Sequence, residues 1–290
     1  MTLRLLAVHA HPDDESSKGA ATYAYYRSIG AEVMVVSCTG GERGSILNNN
    51  LVERSRAERD LSGLRRLEME RAKAVMGIEH RWLGYQDSGM ADEDAPPPAG
   101  SFATIPLEIS AEPLVALIRR YKPQVLVTYD ENGGYPHPDH IRTHEISMFA
   151  FRAAADPDQY PGAGEPWQIS KVYYDRIFNS KRIRAVVEAL EASQPESPLI
   201  ESMKGMSRWM DESPDLATTR VPVGDFFEAR DAALRSHSSQ IPDDSFFFFL
   251  PNELLRATWP TEEFQLVEST VHTELPETDL FAGIPEKEDA

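Results

Sequence analysis

The chain has 290 residues, 41% of them hydrophobic and 26% charged, with a formal net charge of -18. That length can bury a sizeable core and allows one large domain or two small ones. The acidic balance argues against a nucleic-acid partner, whose phosphates it would repel, and no apolar run approaches the roughly 18 residues of a membrane span. Met1-Thr2-Leu3-Arg4 passes straight into a strand pattern, without the features of a signal peptide. Cys38 is the only cysteine, which excludes an internal disulfide and fits the expectation of a cytoplasmic protein. It ends an apolar run and reads as a buried, inert thiol.

Residues 3–8 are a nearly continuous apolar run, the pattern of a strand covered on both faces. Residues 17–29 have a helical apolar pattern stopped by Gly30, and 33–37 form a second strand, so the chain opens with a βαβ unit and a parallel sheet. A long charged helix is expected over 52–76, with Gly63 as a break, then a short strand at 80–83 and a proline-rich surface loop at 92–100. A helix at 106–121, a buried strand at 125–129 and a loop through Gly133-Gly134 lead to a helix running to about residue 155, with Pro138 acceptable at its first position.

After the break at 156–166, a strand is expected at 172–177, helices at 183–192 and 202–210, a strand at 218–223 and a helix at 225–235. The run Phe246-Phe247-Phe248-Phe249-Leu250 is expected to be buried, because so apolar a patch would invite association. From Glu274 the acidic chain reads as loosely held. The expectation is one α/β domain with a mostly parallel sheet and helices on both faces. Residues 1–155 would be its core, 156–273 a part that completes a pocket, and 274–290 a tail.

Two clusters carry chemistry. His9-Ala10-His11-Pro12-Asp13-Asp14-Glu15 follows the first strand, and His137-Pro138-Asp139-His140 follows the fourth. In alternating α/β chains, ligands bind outside the carboxyl ends of the strands, so both clusters are expected on one rim. Each alone also reads as a capped helix start; their common placement favours a metal. His11, Asp14 and His140 supply the two imidazoles and a carboxylate that suit catalytic zinc, and ferrous iron suits the same set. Asp13 is then spare and could take a proton from bound water. His137, protonated and oriented by Asp139, could stabilise an oxyanion. His144, one helical turn after His140, reads as packing or support, and His9 as structural.

The AHPDDE run and the downstream HPDH resemble the LmbE-like (PIG-L) family of zinc-dependent N-acyl-glucosamine deacylases. The resemblance implies a Rossmann-like fold and one zinc held by His11, Asp14 and His140. It also implies Asp13 as general base, His137 as electrostatic catalyst, Asp139 in support, and Tyr135 as a mobile residue over the tetrahedral intermediate. Arg65 and Asp87 match positions that hold sugar or inositol hydroxyls, although Arg65 could equally be a solvated helix charge. His237, in Arg235-Ser236-His237-Ser238-Ser239-Gln240, either lines the pocket or is packed. Lys18 separates two activities within the family, lysine going with amide cleavage of mycothiol S-conjugates and a small polar residue with deacetylation of N-acetylglucosaminyl-inositol. A small-molecule conjugate is thus the expected substrate, with the deacetylase and a non-catalytic sugar binder as alternatives.

Overall fold

The computed structural model describes residues 2–90, 96–176, 179–210 and 214–285. Among these, seven strands form one sheet: β1 (Arg4–His9), β2 (Glu32–Thr39), β3 (Glu79–Tyr85), β4 (Val125–Thr128), β5 (Lys171–Asp175), β6 (Thr219–Pro222) and β7 (Thr261–Ser269). The helices are α1 (Asp14–Lys18), α2 (Ala20–Ser28), α3 (Arg54–Arg59), α4 (Leu61–Met76), α5 (Leu107–Tyr121), α6 (Pro138–Ala155), α7 (Ser180–Ser193), α8 (Leu199–Met210), α9 (Phe227–Ser236) and α10 (Asn252–Thr258).

The strand order is β3-β2-β1-β4-β5-β7-β6. β1 to β5 pair in parallel, and β7 runs antiparallel between β5 and β6. The mostly parallel α/β sheet read from the sequence is therefore present. Alternation along the strands feeds two cores. Leu5, Ala7, Val33, Val35, Val125 and Val127 pack on one face with residues of α2, α4 and α9. Leu6, Val8, Met34, Val36 and Leu126 pack on the other with residues of α5 and α6. Burial on both faces explains why these strands read as continuous apolar runs. The chain leaves β1 toward β2 and β3, then returns to β4 on β1's other side. This reversal opens a crevice at the carboxyl ends of β1 and β4.

Several boundaries differ from the sequence reading. The first helix is split at Gly19 into α1 and α2, and the long charged helix divides at Asp60 rather than Gly63. Asp60 caps α4 by accepting the Gly63 N–H at 2.8 Å. The phenylalanine run is not buried: Phe246 is 49% exposed and Phe249 40%. α10 and β7 lie where no element was expected. Parts of the 92–100 loop and of the 172–177 strand fall outside the described residues.

The expectation of a loose tail from Glu274 is also corrected, for residues 274–285. Lys171 is fully buried at the start of β5, where an ammonium needs a counter-charge. Glu277 supplies it, and also accepts hydrogen bonds from Tyr173 Oη at 2.7 Å and Thr219 Oγ1 at 2.8 Å. Leu280 and Phe281 then enter the core beside α2 and β5.

Candidate metal centre and active site

The first cluster turns sharply out of β1. The His11 N–H donates to Asp14 Oδ2 at 3.0 Å, and Asp13 takes φ 101°, a left-handed conformation strained for a residue with a side chain. The Asp13 N–H is held by Glu15 Oε2 at 2.9 Å, and Glu15 Oε1 pairs with His237 Nε2 at 2.7 Å. Burial would raise the Glu15 carboxyl, but His237 holds it down at about 2. His237 is fully buried and braces the turn from beneath. Of the two places its sequence context allowed, His237 takes the packed one and not the substrate-binding one; Gln240 and Ile241 reach the cavity from the same segment instead.

His140, at the start of α6, donates from Nδ1 to the Gly133 carbonyl at 3.0 Å, which leaves Nε2 as an acceptor. That Nε2 is buried without a hydrogen-bond partner among the described residues, and it stands 3.4 Å from Asp14 Oδ2. His11 Nδ1 lies 3.6 Å from the same oxygen, and the ligand atoms of His11, Asp14 and His140 lie within 4.8 Å of one another. Acceptors converging in a buried space require a cation between them. The residues therefore fit a metal. Burial would lower the His11 imidazole, but the Asp139 and Asp14 carboxylates raise it to about 10, so in the metal-free protein a proton occupies this centre. Burial would raise Asp14, yet His140 and Lys18 hold it well below its ordinary value.

Asp139 has a different partner from the one expected. Its Oδ2 faces His11 Nε2 at 3.3 Å and accepts the Ser88 N–H at 2.9 Å, so it orients His11, a candidate metal ligand, rather than His137. A carboxylate behind a ligating imidazole fixes its tautomer and raises its basicity. His137 caps α6, its Nδ1 accepting the Asp139 N–H at 3.1 Å, and this leaves Nε2–H as a donor. Burial, reinforced by the charge on His11, lowers His137 to about 4. The expectation of a protonated His137 is corrected to a neutral donor in the metal-free protein. His11, His137 and Asp139 also bring ligand atoms together, but His11 Nε2 and Asp139 Oδ2 already satisfy each other there.

Tyr129 joins the two clusters. Its hydroxyl accepts the Ala10 N–H at 2.9 Å and lies 3.3 Å from His9 Nδ1. Its ring stacks on His140 at 4.4 Å between centroids. His144 Nδ1 donates to the Tyr129 carbonyl at 3.0 Å, consistent with a supporting role for that histidine. Tyr135 is partly exposed, with its ring 4.4 Å from that of His140.

A cavity of about 410 Å³ opens over the centre, lined in part by Asp13, Arg43, Asp87, Tyr135 and His137. Arg65 is buried on its floor, with Nη2 donating to the Pro12 carbonyl at 2.6 Å and Asp13 Oδ2 at 3.1 Å. It is not the solvated helix charge that its sequence context also allowed. Burial raises the Asp13 carboxyl while Arg65 pulls it down; the net effect is upward. Asp87 also lines the cavity, but its oxygens accept the Arg43 N–H at 3.0 Å and the Gly89 N–H at 2.7 Å. Lys18 donates to Asp14 Oδ1 at 2.5 Å and stands where this cavity meets a second one of about 430 Å³. Asp175, at the end of β5, lines that second cavity, and burial pushes its carboxyl up to about 7 against the pull of Lys18. Sequence reasoning passed over it, and its one signal is an acid ending a buried strand on the same rim.

A switch-point crevice holding a His–Asp–His donor set with a spare carboxylate beside it defines a metal-dependent hydrolase. The model of the GlcNAc-PI de-N-acetylase (PIG-L) family matches residues 6–151, and the chain belongs to that family. It is 50% identical over 286 residues to the mycothiol S-conjugate amidase of Streptomyces coelicolor, covering 97% of each chain. It is 39% identical over 293 residues to a 1D-myo-inositol 2-acetamido-2-deoxy-alpha-D-glucopyranoside deacetylase of Streptomyces avermitilis, again covering 97% of both. Among solved structures, N,N'-diacetylchitobiose deacetylase from Pyrococcus horikoshii shares the fold with TM-score 0.61 at 18% identity, covering 91% of this chain and 83% of that one.

Proposed function

We propose that this chain is a zinc-dependent amidase that hydrolyses mycothiol S-conjugates to a mercapturic acid and glucosaminyl-inositol. The observation that carries this reading is the 50% identity to the Streptomyces coelicolor amidase over 97% of both chains. Lys18 against Asp14, at the junction of two cavities, supports it, since a conjugate needs room on both sides of its scissile amide.

His11, Asp14 and His140 would hold the metal, which when bound polarises a carbonyl and acidifies water. Asp13, fixed by Arg65 and raised by burial, takes the proton of the attacking water as the new C–O bond forms. His137, through Nε2–H, and the Tyr135 hydroxyl donate to the oxyanion that develops on the former carbonyl oxygen. Asp13 then returns its proton to the departing nitrogen, the C–N bond breaks, and amine and acid separate. Asp139 keeps His11 in register throughout.

The test follows release of bimane mercapturic acid from the bimane conjugate of mycothiol, beside acetate release from N-acetylglucosaminyl-inositol. The amidase reading expects conjugate cleavage to dominate. Metal-loaded protein that spares the conjugate but releases acetate would establish the deacetylase instead. Metal analysis of protein purified without added ions decides between zinc and ferrous iron.

A further inference from the structure

The second cavity is lined in part by Lys18, Tyr135, Asp175, Asn179, Leu216 and Phe247. It shares Ser17, Lys18, Tyr135 and Phe247 with the cavity over the candidate metal ligands, so the two are lobes of one cleft that meet at Lys18, which donates to Asp14. Arg65 and Asp87 lie in the first lobe alone, and Asp175 and Asn179 in the second alone. A substrate whose scissile carbonyl sits at the metal therefore places its amine part in one lobe and its acyl part in the other.

Two residues that line the second lobe each carry an unsatisfied polar atom. Asp175 is 7% exposed and Asn179 5%. Asp175 Oδ2 and Asn179 Nδ2 are each buried and without a hydrogen-bond partner among the described residues. Asn179 commits its oxygen to the start of α7, accepting from the Lys181 N–H at 3.0 Å and the Arg182 N–H at 3.3 Å, so its amide NH2 remains to donate. Leaving such a group unpaired forfeits its hydration without return, a loss that a ligand recovers by pairing with it.

One acceptor and one donor in the same lobe suit a neutral secondary amide, which offers an N–H and a carbonyl. A carboxylate would satisfy Asn179 but face Asp175 and Asp130, and an ammonium would satisfy Asp175 but face Lys18 and Arg176. Pro214, Leu216, Ala217 and Phe247 give the lobe an apolar stretch of wall, beside the polar Asn132, Ser180 and Asp215. We propose that Asp175 and Asn179 recognise the secondary amide of the substrate's acyl arm. Asp175 Oδ2 accepts its N–H, Asn179 Nδ2 donates to its carbonyl, and the apolar wall takes the variable S-substituent. This deepens the amidase reading and rests on it, because an N-acetylcysteinyl arm carries that amide and a bare acetyl group does not.

The probe is N-acetyl-S-benzylcysteine, a mercapturic acid, titrated calorimetrically into the metal-loaded protein and its variants. Asp175→Leu, which removes the acceptor, and Asn179→Ser, which keeps a capping oxygen but loses the NH2, should each weaken binding at least tenfold. Asp175→Asn retains an acceptor oxygen and should stay within about threefold of wild type. Acetate release from N-acetylglucosaminyl-inositol, which lacks the arm, should be unchanged in all three. Wild-type protein that fails to bind the mercapturic acid, variants that bind it as tightly as wild type, or equal losses toward both compounds would overturn the proposal. Should one variant fail to fold, the other decides. Failure of the amidase reading shows separately, as wild type that binds the mercapturic acid yet leaves the bimane conjugate intact.

Discussion

Asp13 unites two properties that packing alone would not select. Its left-handed backbone costs a residue with a side chain about 1–3 kcal/mol, and its carboxyl is raised by burial although Arg65 lies against it. Both make sense if the side chain must face a water and accept its proton. Asp13→Asn should lower kcat by roughly 100- to 10,000-fold, with metal content unchanged by elemental analysis; unimpaired turnover would remove Asp13 from this role. His11 supplies a second expectation at this scale. Its imidazole sits near 10 in the metal-free protein, so below that pH a metal ion must displace a proton to bind. Metal affinity should rise about tenfold per pH unit from about pH 6 to about pH 8, and chelator competition across that range measures it. A flat profile would contradict the exchange of proton for metal.

The loop between β4 and α6 shows how an element sets the site. Gly133 has φ 72°, and a Cβ there would lie 2.6 Å from His140 Cβ. Its carbonyl also fixes the His140 tautomer. Gly133→Ala should therefore displace His140 and weaken metal binding by roughly 10- to 100-fold, read by equilibrium dialysis, with melting temperature as the control for gross misfolding. The parallel strands and the convergence of the two histidine clusters were legible because their signals are local: doubly buried strands are continuously apolar, and each cluster packs its candidate ligands into a few residues. β7 escaped because its buried Phe264 stands among glutamates, one of which, Glu263, is itself buried against Trp259 and Thr261. The phenylalanine run misled because apolar residues need not be inside. The roles of His237 and Asp139 depend on partners far away in sequence, Glu15 and His11, and nothing local announces either pairing.

At the scale of the whole molecule, the last described segment closes the sheet. Glu277 neutralises Lys171 beneath β5 while bonding Tyr173 and Thr219, so it fastens the C-terminal chain across two strands. Glu277→Ala leaves a buried ammonium uncompensated and should cost about 3–5 kcal/mol, visible as a lower urea midpoint; an unchanged midpoint would mean that Lys171 finds another partner. The centre of the molecule has a comparable fastening in Tyr129, which grips the turn after β1 through its hydroxyl and His140 through its ring. The consequence is energetic coupling between the two clusters. A substitution in either cluster changes what the other can tolerate through this one side chain, so paired replacements should deviate from additivity. The two histidine clusters, though far apart in sequence, are thereby expected to constrain each other's substitutions.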